Sequence, residues 1–425
     1  MLLRFSLYGF LKNQRYFEPF FVLLLLDRGL SFFTIGVLVA FREATVNLLE
    51  IPSGAIADLG GRRKSMIVSF SAYVVSFVLF GASRNLPMLF VAMLFFAVGE
   101  AFRSGTHKAM IFAWLRLNDR TDERVRLYGY TRSWSKFGSA LSVVLAGAFV
   151  LVSDDYSVIF YLSSIPYLLS IVNLLGYPAE LDVASGNGFS LRHVTRHALE
   201  TLRASLGHGR LRRLLLESMG FEGLFHAIKD YLQPLLMAAA IGLAATVPLT
   251  ADLSGRRQAA LLIVPVYLLL HLLSGAASRG SHRVVSLAGT QAAAARALWA
   301  AAALVFGALT AAAATGRPAV MILAFVVLHV LQNLWRPLLI GRFDSEGDAS
   351  QGATLMSVES QARRLGTMIV APCLGLAVDS VRQPGQPTSF LPIGVLGLAV
   401  TLSFLLTSRR ERQSGSALPG TSSSS

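Results

Sequence analysis

A run of about 20 apolar residues is long enough to cross the hydrocarbon core of a bilayer. This chain holds twelve such runs in succession, separated mostly by short polar breaks. In lipid every backbone N–H and C=O must be satisfied within its own segment, so spans of this length have to be helices. They are expected near 4–26, 31–57, 66–83, 87–111, 126–152 and 157–178, then near 214–241, 258–278, 285–314, 318–341, 353–379 and 389–407; they are called spans 1 to 12 below. A mean hydropathy of +0.57 with 54% hydrophobic residues is too apolar for a soluble protein of this length. Lys12 and Arg15 interrupt the first run and no small-residue cleavage site follows, so it reads as a membrane helix rather than a removable signal.

The net charge is +14, and the basic residues sit mostly in the breaks. With the N-terminus inside, loops and tails assigned to the cytoplasm carry 20 Lys and Arg, and external loops carry six. That asymmetry sets both termini in the cytoplasm of a multi-pass protein of the cell (inner or plasma) membrane. It is a topology signal, and no nucleic-acid partner is expected. Cys373 is the one cysteine and lies in an apolar run, read as a small buried side chain. It allows no intrachain disulfide, and no metal or other cofactor is expected. No Gly-rich phosphate loop and no zinc-protease spacing is present, so ATP-driven transport within this chain and an enzymatic role are not expected.

Between spans 2 and 3 stands Gly54-Ala-Ile-Ala-Asp58-Leu-Gly-Gly61-Arg62-Arg63-Lys64. A Gly, an Asp four residues later, then Gly-Arg-Arg resembles the loop between helices 2 and 3 of the major facilitator superfamily, secondary transporters with twelve transmembrane helices. Leu59 departs from that pattern, where a basic residue is usual. The resemblance implies a cytoplasmic gate made by Gly54, Asp58, Gly61, Arg62 and Arg63. Gly54 would admit a neighbouring helix, and Asp58 would contact the start of span 11 near Thr354. A partial echo of the drug-exporter antiporter motif, Gly138 and Gly147 in span 5, lacks the Gly-Pro that should follow.

Internal repetition supports the same fold. Tyr16-Phe-Glu-Pro19 matches Tyr231-Leu-Gln-Pro234, and Ser53-Gly54 with Arg62 matches Ser274-Gly275 with Arg283. Glu100-Ala-Phe-Arg103 matches Asn333-Leu-Trp-Arg336, and Phe137-Gly138 with Gly147 matches Leu365-Gly366 with Gly375. Four matches in order, at offsets between 215 and 233 residues, describe two six-helix halves. The fold class is therefore an all-α membrane protein, 12 transmembrane helices in two pseudo-symmetric six-helix bundles. The bundles are expected at 1–178 and 214–408, joined by a cytoplasmic linker at 179–213 and followed by a disordered cytoplasmic tail at 409–425. Within the linker, Leu191, Val194, Ala198, Leu202 and Ser205 fall on one helical face and describe an amphipathic helix on the membrane surface.

A charged side chain at the bilayer centre costs about 2.5–3.5 kcal/mol on insertion scales, so charges within the spans should line a polar interior or pair with one another. Span 1 carries Arg15 and Glu18, span 4 Glu100 and Arg103, span 7 Glu222, His226 and Asp230, and span 10 Arg336. The resemblance implies that spans 1, 4, 7 and 10 line a central cavity. Arg15, Glu18, Glu100, Arg103, His226, Asp230 and Arg336 are then the candidates for the substrate pathway. Glu18, Asp230, Glu100 and Glu222 are the candidates for proton coupling, since a carboxylate that gains and loses a cationic neighbour changes its proton affinity. Arg42, Arg132 and Lys136 add to the midplane basic residues, which favours a solute with an anionic group.

The expected function is secondary active transport of a small, anionic solute by alternating access, coupled to protons, in a monomeric protein embedded in the lipid bilayer. Its alternatives are a proton-driven exporter of hydrophobic or cationic drugs and a non-transporting receptor on a transporter fold.

Overall fold

The structure, a computed structural model, describes residues 1–104, 106–182, 207–246, 252–346, 352–382 and 387–415. The described residues are helical and contain no strand. Ten helices are long and apolar enough to cross a membrane. Spans 1 and 7 complete the twelve, and each is built from shorter pieces.

Span 1 is not the continuous helix expected over 4–26. It consists of Leu2–Leu11, an irregular stretch, a tight turn at Glu18–Phe20 and a second helix at Phe21–Asp27. The polar run from Lys12 to Arg15 and Pro19, which cannot donate a backbone hydrogen bond, cause the break. Span 7 runs from Gly209 to Ala244 through a π-helical turn at Ser218–Gly223 and a tight turn at Lys229–Tyr231 just before Pro234. Span 4 is divided into Leu86–Arg103 and Thr106–Leu117. The other spans are Phe32–Gly60 (2), Arg62–Ala82 (3), Arg124–Ser153 (5), Tyr156–Leu175 (6), Gly255–Ala288 (8), Gln291–Ala314 (9), Pro318–Glu346 (10), Gly352–Val381 (11) and Leu391–Gly415 (12). Span 12 thus continues into the expected tail, whose residues 416–425 lie outside the described residues, as does the amphipathic helix expected in the linker. Cys373 is exposed on span 11 rather than buried.

The two halves pack alike. Spans 3 and 4, 2 and 4, 3 and 6, and 1 and 5 pair in the first half; spans 9 and 10, 8 and 10, 9 and 12, and 7 and 11 pair in the second. Spans 2 with 11 and 5 with 8 join the halves. The repeated glycines do the same work in each half. A side chain at Gly138 would lie 2.6 Å from the Phe10 carbonyl of span 1, and one at Gly366 would lie 2.6 Å from the Met219 carbonyl of span 7. Gly147 is pressed by Val264 of span 8, and Gly375 by the Phe32 carbonyl of span 2.

The halves meet most closely at one end. At the distal end, away from the chain termini, Arg256 of span 8 binds Asp27 at 2.9 Å and the Asp154 carbonyl at 2.9 Å. Asp379 of span 11 accepts the N–H groups of Phe32 and Phe33, which open span 2. Toward the terminal end the described residues of the two halves draw apart beyond Asn47, which donates to the Gln361 carbonyl at 3.4 Å, and Glu50, 4.0 Å from Arg364. A side chain added at Gly54, Gly129, Gly275 or Gly280 would meet nothing within 4 Å.

Candidate functional site

The breaks in spans 1 and 7 face each other at mid-height. Gln233 is fully buried; its amide donates to the Glu18 carbonyl at 2.9 Å, and its oxygen accepts the Val22 N–H at 2.8 Å. Glu18 and Gln233 are the matching positions of the internal repeat, so the symmetry-related breaks close on each other. Phe32 stacks on Tyr231 beside them, with ring centroids 5.0 Å apart.

On the terminal side of this contact lies a cavity of about 410 Å³ between the halves. Span 1 contributes Arg15 and Glu18, span 2 Arg42 and Glu43, and span 4 Glu100. Span 7 contributes Glu222, His226, Lys229 and Asp230; span 10 Gln332 and Arg336; span 11 Arg363 and Arg364. The apolar part of the lining is Phe17, Phe21 and Phe96. Six of the seven pathway candidates therefore line one cavity, together with Glu222. Arg103 does not. It stands behind Glu100, bound to it at 3.0 Å, and faces a separate cavity within the first bundle. Glu100 and Arg103 are three residues apart and share a helix face; Glu100 lines both cavities, and Arg103 lines the second alone.

Most of these charges are paired. Arg15 lies 3.9 Å from Glu18, and Lys229 lies 3.0 Å from Asp230. Tyr73 donates to Glu100 at 2.9 Å. Arg336 binds Glu359 with its Nη2 at 2.8 Å, and Ser218 also donates to Glu359 at 2.6 Å. Glu43 accepts from Arg42 at 2.6 Å and from Arg364 at 2.8 Å, which ties spans 2 and 11 together. Glu43 and Arg364 line the cavity, and Glu359 and Gln233 bind its residues, though the pathway set drawn from the sequence did not include them. Their only sequence signal was polarity inside an apolar run.

Two cavity groups stand apart. Arg363 reaches the Ser360 hydroxyl at 3.4 Å and has no carboxylate partner among the described residues. Glu222 is 1% exposed; its Oε2 accepts from Gln332 at 3.2 Å, and its Oε1 is buried with no partner. No cluster of His, Cys, Asp and Glu among the described residues could hold a metal ion.

The gate residues are close together; the side chains at the start of span 11 near Thr354, the contact expected of Asp58, lie outside the described residues. Asp58 pairs with Arg62 at 3.0 Å within the loop. Arg63 binds Asp182, after span 6, at 2.9 Å and donates to the Tyr177 carbonyl. Gly61 adopts a φ of +103°, a conformation that favours glycine, and a side chain there would strike Asp182 at 2.7 Å. Asp182 is a partner with no signal in the sequence. Gly54 faces open space, contrary to the close helix approach expected of it, because the terminal end of the molecule is open.

The family model of the Major Facilitator Superfamily matches residues 10–371. The uncharacterized MFS-type transporter YxaM of Bacillus subtilis (strain 168) is 28% identical over 90 residues, which cover 21% of this chain and 23% of that protein. This chain thus aligns with about a quarter of the length of that curated relative. Among solved structures, the nucleoside transporter NupG superposes with a TM-score of 0.75 at 13% identity, covering 95% of this chain and 98% of that one. A POT family transporter in complex with 5-aminolevulinic acid gives 0.66 at 16% identity, covering 96% of each chain. A D-xylose–proton symporter gives 0.64 at 15% identity, covering 94% of this chain and 95% of that one. At such identities these structures speak for the fold alone.

Proposed function

The chain belongs to the major facilitator superfamily and is a multi-pass membrane transporter of that family, and from that premise we propose that it carries out proton-coupled secondary transport of a small polar solute with an anionic group. It acts as a monomer in the cell membrane, with both termini in the cytoplasm and the terminal end as the cytoplasmic mouth. The excess of Lys and Arg in the loops at that end supports the orientation. A complete cavity within one chain supports the monomer.

The observation that carries this reading is the cavity itself. Both halves of the repeat contribute ionisable groups to it, and it is shut at one end by contacts that are missing at the other. A charged chamber between two pseudo-symmetric bundles, closed at one end, is what rocking of one bundle against the other needs. Its lining favours a polar solute over a hydrophobic drug. Arg363, a cation left without a carboxylate, supports an anionic group on the solute, since an Arg fork matches a carboxylate in two parallel hydrogen bonds.

Among the four proton candidates, Glu222 is the strongest. Glu18, Glu100 and Asp230 each have a cation within ion-pair distance. Glu222 has only an amide on one oxygen and nothing on the other. A buried carboxylate so placed takes up a proton without breaking an ion pair. It lies in the π-helical turn of span 7, a kind of distortion found often at functional sites.

The test is flux in proteoliposomes with a pH-sensitive dye inside and a panel of carboxylates, nucleosides, amino acids and cationic drugs outside. Proton movement on addition of one anionic class, abolished in Glu222→Gln with counterflow of the solute retained, is the expected result. Solute movement with an undiminished proton signal in Glu222→Gln would overturn the assignment of that residue. Flux of cationic drugs alone would overturn the solute class.

A further inference from the structure

The first bundle holds a second charged cavity, of about 540 Å³, between spans 1, 4 and 5. Its cations are Lys12, Arg103, Lys108, Arg132 and Lys136. Arg132 and Lys136 also line an adjoining cavity of about 540 Å³ at the seam between spans 5 and 8, where Arg279 of the second bundle joins them. Glu100 is the one carboxylate among the described residues of either lining, and it is already engaged by Arg103 and Tyr73. Lys108 rests against the rings of Phe112 and Tyr128. Arg132, Lys136 and Arg279 have no side-chain acceptor among the described residues.

This arrangement differs in kind from the central cavity, where nearly every cation has its carboxylate. Walls of low dielectric lined by one sign of charge focus the field and raise the local concentration of counter-ions. Cations from both bundles converge here with Glu100, already engaged, as the one carboxylate among the described residues, so an anion from outside the chain suits the site. A monocarboxylate brings two oxygens in one plane. A phosphomonoester brings three terminal oxygens pointing apart with a charge near −2, and a phosphodiester headgroup brings two with a charge of about −1. Lys ammonium groups and Arg forks arriving from four spans match such divergent acceptors better than one planar carboxylate. The apolar walls of the seam, Ala140, Leu272 and Ala276, lie beside these cations, and Gly129 and Gly275 there face open space.

We propose that Lys12, Lys108, Arg132, Lys136 and Arg279 form a binding site for a phosphate-bearing anion, separate from the central cavity and adjoining it through Glu100. The phosphate is either a lipid headgroup entering by the seam or a soluble phosphomonoester entering from the terminal end.

Two arms separate the sources. In the first, purified protein in a neutral detergent is titrated calorimetrically with glycerol 3-phosphate. In the second, protein released from nanodiscs of phosphatidylglycerol or of phosphatidylcholine is weighed by native mass spectrometry for retained lipid. Binding is expected in one arm at least, weakened about tenfold or more by Arg132→Gln/Lys136→Gln. Arg279→Gln, on the other bundle, is expected to weaken it less and serves as an independent variant should the double change misfold. Arg336→Gln in the central cavity is expected to leave binding unchanged. Binding in the calorimeter alone assigns a soluble ligand, and selective retention of phosphatidylglycerol assigns a headgroup. No binding in either arm, equal binding by the basic-site variants, or equal loss in Arg336→Gln would overturn the proposal.

Discussion

The two ends of the molecule are built from repeats of the same elements, yet one is shut and the other is not. At the distal end Gly36 and Gly375 let the backbones of spans 2 and 11 touch, Asp379 caps span 2, and Arg256 ties span 8 to Asp27 and Asp154. At the terminal end the corresponding stretches of spans 2, 5 and 8 stand clear of each other, and the charges there pair within one bundle, as Arg62 does with Asp58 and Arg63 with Asp182. The difference teaches where the energy of closure lies. It comes from a few close backbone contacts and ion pairs that hold only when the bundles meet, and such contacts can be exchanged from one end to the other at little net cost.

The same substitution at the two ends should break this comparison most sharply. A valine at Gly375 would drive a side chain to within 2.3 Å of the Phe32 carbonyl. Overpacking of this kind costs about 1–3 kcal/mol, enough to shift a two-state equilibrium by about 5- to 150-fold. Gly375→Val should therefore open the distal end, seen in a Cys373→Ser background as faster thiol labelling of a cysteine placed at the buried Ile35, and transport should be lost. Gly54→Val has room in this state and should leave that labelling slow, while impeding closure at the terminal end and so also abolishing flux.

A smaller effect is expected from Arg256→Gln. Its pair with Asp27 is more than a third exposed, so it contributes only about 0.2–1 kcal/mol. Distal labelling should rise a few-fold at most, and high salt should mimic it in the wild type.

The smallest effects belong to the gate loop. Asp58 and Arg62 form an i,i+4 pair worth about 0.2–0.5 kcal/mol. Asp58→Asn should leave the thermal midpoint nearly unchanged, while Asp182→Ala, which removes both a backbone N–H acceptor and an ion pair, should lower it more. A larger drop for Asp58→Asn would mean that Asp58 has a partner in this state other than Arg62.

Much of this was legible in the chain. Twelve spans follow from run length, because lipid forces the backbone to satisfy itself. The repeat pairs Gly138 with Gly366 and Gly147 with Gly375 marked real backbone approaches, since only glycine fits there. The cavity residues showed themselves because charges in apolar runs are too costly to face lipid. What remained hidden was pairing across long sequence separations. Nothing in the spacing joins Glu43 to Arg364, Arg336 to Glu359, or Arg63 to Asp182. The placement of Arg103 was hidden as well, since it shares a helix face with Glu100 yet lines only the cavity within the first bundle. The breaks in spans 1 and 7 were foreshadowed by Pro19 and Pro234, but a continuous apolar pattern masked them.

The most direct test of alternating access is a pair of distances measured by double electron–electron resonance in a Cys373→Ser background. One pair of spin labels, at Arg84 and Arg317, spans the distal end; the other, at Arg120 and His282, spans the terminal end. Under a proton gradient with transported solute, the terminal distance should shorten and the distal distance should lengthen, the two changes occurring in the same fraction of molecules. Terminal closure without distal opening, or two distances that never move during flux, would contradict the account.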